Sequence, residues 1–138
     1  MNLLKTALAT TLVALLAACG NTKPTESTIE GLLEDALSQQ LLIEGVVDIK
    51  DLEIVNGFEK EDGQYQAHIK YKGEFQKSFR EIKKIVNTGS HNVTEQMSAG
   101  MLLTVMEMNY GEFETGLSID SENTYTFQKG DNGWMILE

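Results

Sequence analysis

The apolar positions of this chain fall into blocks with different periods. From 28 to 41, Ile29, Leu32, Leu33, Ala36, Leu37 and Leu41 recur at offsets of 3, 4, 7, 8 and 12, the spacing that lines one face of an α-helix. Ser27 stands three residues before Glu30, the arrangement of a capping box, which predicts a helix starting near Thr28. Its other face carries Glu30, Glu34, Asp35, Ser38 and Gln39 and reads as solvated. After Gly45 the period changes to two. Leu52, Ile54 and Phe58 fall on one side of a predicted strand, with Asn56 between them, while Glu53 and Val55 fall on the other. The Asp62-Gly63 pair signals a tight turn. Beyond it Tyr65, Ala67, Ile69, Tyr71, Gly73 and Phe75 alternate with Gln64, Gln66, His68, Lys70, Lys72 and Glu74, so the two runs predict a long hairpin with one wet face.

Helical spacing returns with Phe79, Ile82 and Val86, predicting a second helix over 76–86 with Arg80, Lys83 and Lys84 outward. The stretch 94–110 suits two states. Met97, Met101, Val105 and Met108 fit the face of a helix, whereas 102–106 also fits a buried strand; the helix is preferred. The stretch 111–119 reads as a strand through Phe113, Leu117 and Ile119. Tyr125 and Phe127 alternate with Thr124, Thr126 and Gln128, a Gly-rich turn follows over 129–133, and 134–137 pairs back as a terminal hairpin. Trp134, the only Trp, is in phase with Ile136 and is expected in the core. This order of elements predicts an α+β architecture, an N-terminal helix packed on a curled antiparallel sheet. It is similar to the cystatin-like and nuclear-transport-factor-like folds. That likeness rests on element order and an aromatic strand ending in Gly-Trp, and it implies a fold without implying a function.

The first block is different again. Residues 7–18 are apolar except for Thr10 and Thr11 and follow a start with one positive charge, Lys5. About 20 apolar residues are needed to span a bilayer; a short apolar run after a charged start and before small residues is the pattern of a secretory signal peptide. It ends in Leu16-Ala17-Ala18-Cys19-Gly20, which resembles the lipobox of bacterial lipoproteins: an apolar residue, two small residues, then Cys. The resemblance implies cleavage before Cys19, a diacylglycerol on its thiol, and acylation of the new amino terminus. The predicted organisation is a signal peptide at 1–18, a lipidated tether at 19–27 containing the only proline, Pro24, and a single domain at 28–138. Gly20 in place of the Asp that favours inner-membrane retention in the enteric version implies the outer membrane, facing the periplasm.

Charge narrows the partners. The chain has 11 basic against 21 acidic residues and a formal charge of −10; losing Lys5 with the leader leaves ten basic residues and −11. No Lys/Arg-rich block exists, and nucleic-acid binding draws its affinity from such blocks. With 41% apolar and 23% charged residues, the composition is that of a folded domain, not a disordered chain. One Cys can build neither a disulfide within the chain nor a Cys-paired zinc site.

No catalytic motif stands out. There is no G-x-S-x-G, H-E-x-x-H or P-loop. His68 lies on the polar side of an alternating strand, and His91 lies in a Gly-Ser loop, neither with a carboxylate placed beside it in sequence, so both are read as dispensable. The acidic stretches 59–62, 120–123 and 131–133 read as turns and not as a calcium loop. Met97, Met101, Met106 and Met108 are expected to line the core or a pocket. Asn92-Val93-Thr94 matches the glycosylation pattern and is incidental in a bacterial lipoprotein. The reading is a small non-catalytic envelope lipoprotein without cofactor or metal, anchored by acyl chains on Cys19, binding a protein or small ligand on the concave sheet face. The alternative is an acidic inhibitor or immunity-type lipoprotein neutralising a basic partner; an enzyme using the same concavity ranks below both. Replacing Cys19→Ser is expected to leave an unprocessed precursor that incorporates no labelled fatty acid; incorporation by that variant would refute the lipobox assignment.

Overall fold

The computed structural model describes residues 23–137, so the leader and Cys19 lie outside the described residues. Helix α1 (Glu26–Leu41) opens the fold. It begins two residues earlier than the capping-box spacing predicts: Thr25 is the N-cap, and its Oγ1 accepts from the Thr28 amide at 3.2 Å. Glu26 in the first turn places negative charge at the positive end of the helix dipole. The helix closes on Leu42 in the left-handed region (φ 60°), with the Ile43 amide donating back to the Ser38 carbonyl at 3.0 Å. This is the closure usually given to Gly. Burial of Leu41 and Ile43 on either side holds a leucine there.

Two long strands follow, β1 (Val47–Glu59) and β2 (Gln64–Phe75), joined through Asp62 and Gly63, both at positive φ as a tight hairpin turn requires. Then come α2 (Phe79–Thr88), α3 (Val93–Tyr110), β3 (Ser118–Gly130) and β4 (Gly133–Leu137). The strands form one antiparallel sheet in the order β1-β2-β3-β4, so the chain is α+β as its pattern predicts.

Strand β1 departs from simple alternation. Its register against β2 slips once between Lys50 and Glu53 and again between Ile54 and Asn56, each slip placing one extra residue on β1 as a β-bulge. At the first, Asp51 takes φ 51°, and Leu52 joins Val47 and Ile49 in the core. At the second the faces exchange, so Phe58 pairs with Gln66 on the polar side and is 52% exposed. Phe58 therefore does not share a face with Leu52 and Ile54. Gly57 takes the inward place, where Tyr65 lies so close that any side chain at 57 would collide with its ring.

The predicted strand over 111–119 is also corrected. Residues 111–117 are irregular, and β3 starts at Ser118. Gly111 and Gly116 have positive φ, which breaks any extended run. The loop drops Phe113 between Phe75 and Phe79, with ring centroids 4.7 and 5.7 Å apart. Backbone bonds fix it there: the Phe79 amide donates to the Phe113 carbonyl at 2.9 Å and the Gly116 amide to the Phe75 carbonyl at 2.8 Å.

Helices α2 and α3 are capped by Ser78 and Asn92, whose side chains accept from the Glu81 and Glu95 amides. The Asn-Val-Thr pattern is thus a helix cap. Helix α2 starts at Phe79, three residues later than its pattern predicts, and α3 confirms the preferred state of its segment. Helix α1 lies on β1, reaches β4 and contacts α3; α2 packs on α3. The core joins α1 (Ile29, Leu33, Leu41), β2 (Ala67, Ile69), α2 (Phe79, Ile82, Val86) and Phe127 of β3. Trp134 sits at the margin of this core, partly buried. Accordingly Phe79→Ala is expected to cost about 3–5 kcal/mol, and Trp134→Ala about 1–2 kcal/mol because less of its surface leaves water. Urea unfolding of the two variants checks the order.

Candidate functional site

The polar face of the sheet is an ordered ladder of opposite charges. Lys50 meets Glu74 at 3.2 Å, Lys72 meets Asp51 at 3.6 Å, and Lys70 meets Glu122 at 3.8 Å. Asp120 and Glu122, expected in a turn, stand within β3 opposite Lys72 and Lys70. His68 belongs to the same ladder. Its Nε2 lies 2.7 Å from Glu122 Oε1 and its Nδ1 lies 3.0 Å from Thr124 Oγ1. No carboxylate stands beside His68 in sequence; its partner is 54 residues away, and only the β2–β3 register brings it near. The bond from the His68 ring, followed by the field of Lys70, holds the Glu122 carboxyl below its ordinary value. Both side chains remain in solvent, 38% and 50% exposed, so nothing excludes water from this trio. Such exposed pairs contribute little to stability.

His91 does not join it: its ring lies over Gly89, in the place a side chain at 89 would occupy. Among the described residues no group of three His, Cys, Asp or Glu side chains is placed to hold a metal ion, and no helix is long and apolar enough to cross a membrane.

The inner face of the sheet carries a concavity. Between α1 and the β2-β3-β4 side lies a cleft of about 590 Å³, walled by Leu33, Ala36 and Leu37 of α1 and by Ile136 and Leu137 of β4. Tyr71 of β2 and Tyr125 of β3 line it, their hydroxyl oxygens 2.8 Å apart. The Ile69–Asn123 pair separates the two tyrosines in the register, and their long side chains meet across it. Partial burial, reinforced by the bond that the Tyr125 hydroxyl makes to Tyr71, pushes the Tyr125 hydroxyl well above its ordinary value of 10.0, with Asn123 acting weakly in the opposite sense. Because the pair shares one proton in its mutual bond, one O–H donor and spare lone pairs remain for a ligand. Gln39, Gln40, Thr124 and Thr126 also line the cleft, and a concave lining that joins apolar side chains to convergent polar groups is the usual make-up of a small-molecule site. Sequence alternation places each tyrosine on the inner face, but their meeting depends on a register that no local pattern encodes.

The third feature inverts an expectation. Helix α3 buries Ala99, Leu103 and Met106, while Val93, Met97, Met101, Val105 and Met108 point outward, 73%, 65%, 70%, 51% and 81% exposed. Of the methionines expected inside, only Met106 is buried. Both sides of α3 are apolar, which is the pattern of a helix covered on both sides, so periodicity alone cannot tell which side meets the core. A shallow groove of about 350 Å³ runs where Met101, Leu102 and Val105 approach Gln40 at the end of α1.

Comparison with protein-family models, with curated proteins and with solved structures yields no match. The likeness in element order to cystatin-like and nuclear-transport-factor-like folds therefore goes no further than the α+β class. The raised Tyr125 value has a consequence for pH. Stability from the neutral, half-buried hydroxyl is complete below the unfolded value near 10.0 and is lost as pH rises above it, because the unfolded chain then binds fewer protons. The urea midpoint is expected to fall above that pH, and to fall less in Tyr125→Phe; equal alkaline losses in both proteins would contradict the assignment.

Proposed function

We propose that the chain is a small non-catalytic binding module of a bacterial envelope, held at a membrane through acyl chains on Cys19 and taking an elongated apolar ligand into the cleft beneath α1. The observation that carries this reading is the cleft itself: aliphatic walls from α1 and β4, with the paired Tyr71 and Tyr125 hydroxyls able to bond a carbonyl or carboxylate end. Its volume of about 590 Å³ suits a small ligand. The lipobox-like Leu16-Ala17-Ala18-Cys19 supports the address, with the outer membrane facing the periplasm as the preferred surface.

A catalytic reading draws on His68, Glu122 and Thr124, which lie within hydrogen-bond reach of one another. They stand on an open strand face without a wall to orient a substrate, and general acid–base catalysis requires such placement. The inhibitor reading draws on the acidic surplus, but on the sheet that surplus alternates with lysines and forms no surface of one sign.

The cleft is tested with a dansyl-labelled fatty acid as probe. Wild-type protein is expected to bind it and enhance its fluorescence, Leu37→Trp to weaken binding at least tenfold by filling the cleft, and Tyr71→Phe with Tyr125→Phe to weaken it several-fold. Failure of the wild type to bind, or binding indifferent to Leu37→Trp, counts against the cleft as the site.

A further inference from the structure

We propose that the face formed by α2 and α3 docks on an anionic lipid surface. Two independent observations point to it. The first is the outward side of α3. Over 18 residues, a length of about 27 Å, the side opposite Ala99, Leu103 and Met106 presents Val93, Met97, Met101, Val105 and Met108, with Thr94 and Thr104 between them. At 3.6 residues per turn the helix's two charged side chains, Glu95 and Glu107, fall outside this arc. An uncharged apolar strip of that length is unusual on a chain with 23% charged residues, and such a strip marks a surface that something covers.

The second is the distribution of positive charge. Lys50, Lys70 and Lys72 are engaged in ion pairs on the sheet. Lys77, Arg80, Lys83 and Lys84 form no ion pair among the described residues, and Arg80, Lys83 and Lys84 are exposed. Within 77–84 only Glu81 opposes them, so this short segment is positive in a chain of formal charge −10. It lies in and just before α2, the helix that packs on α3 and leads into it through a four-residue connection.

An apolar strip on one helix and unpaired cations on the helix packed against it make up the composition of an interfacial element: methionine and valine side chains enter the boundary between headgroups and acyl chains, and ammonium and guanidinium groups meet lipid phosphates. A second copy of the chain fits less well, because its own α3 strip is uncharged and offers no anionic partner to Lys77, Arg80, Lys83 and Lys84. The inference goes beyond the cleft reading and is independent of both the cleft and the acyl anchor.

The test uses the chain from Cys19 onward carrying Cys19→Ser, so that no acyl group contributes; the core described above runs from Ile29 to Phe127 and is retained. Cooperative urea unfolding is verified first. Sedimentation with vesicles is then measured for phosphatidylcholine alone and for mixtures with phosphatidylglycerol. The expected result is binding to the anionic vesicles that weakens with salt, with little binding to the neutral ones. Met97→Glu with Met101→Glu, both at exposed positions, should weaken it at least tenfold, and Lys83→Glu with Lys84→Glu at least fivefold with loss of the salt dependence. The proposal is overturned by absence of binding to anionic vesicles, by equal binding to both compositions, or by indifference to the α3 substitutions. A concentration-dependent dimer that Met101→Glu dissociates would equally overturn it, assigning the strip to a second copy.

Discussion

Helix α1 is the element on which the rest of the arrangement depends, because the sheet has one apolar face and α1 is what lies on it. Ile29, Leu33 and Leu41 bury their side chains almost completely, which removes roughly 1.5–3 kcal/mol of unfavourable exposure for each. Glu34, on the face that reads as solvated, reaches the Ile49 amide at 2.9 Å and ties the helix to an outer strand of the sheet. The left-handed closure at Leu42 then turns the chain directly into β1. Since α1 sits toward β1 and only touches β4, a gap is left beneath its far side, and that gap is the tyrosine-lined cleft. Since α3 leans on α1 and not on the sheet, its back has no layer above it. The cleft and the bare helix face are thus two results of one placement.

Much of this was legible from local pattern. The 3.6-residue period of α1, the Asp62-Gly63 hairpin, the alternation of β2 and the terminal hairpin each follow from short-range rules, and together they suffice for the α+β class. The failures have particular causes. The bulges in β1 leave the composition of the strand unchanged and alter only its phase, so Phe58 looks like a partner of Leu52 and Ile54 until the register is known. In 111–117 the apolar residues mimic a strand, while Gly111 and Gly116 break the extended backbone and Phe113 is claimed by Phe75 and Phe79. Helix α3 is apolar on both sides, so its state was readable and its orientation was not.

The site was less legible than the fold, for the same physical reason at longer range. Tyr71 and Tyr125 are 54 residues apart, as are His68 and Glu122; both pairs are made by the register of β2 on β3. One pair lies on the dry face and the other on the wet face, and this decides their chemistry. Partial burial and the bond to Tyr71 favour the neutral form of the Tyr125 hydroxyl. Exposure leaves the His68–Glu122 contact as one rung in a ladder of screened charges. Identical spacing in sequence therefore yields a candidate binding group on one side of the sheet and a solvent-exposed hydrogen bond on the other.

The irregularity of β1 has a consequence for how many copies can live side by side. β1 is an outer strand, and outer strands expose unpaired amides and carbonyls on which another chain can build. Here two bulges, a left-handed Asp51 and the capture of the Ile49 amide by Glu34 interrupt that row at several points. A neighbour attempting to extend the sheet would meet no uninterrupted run of partners along this edge. High local concentration would therefore favour separate bodies over a ribbon growing from this edge.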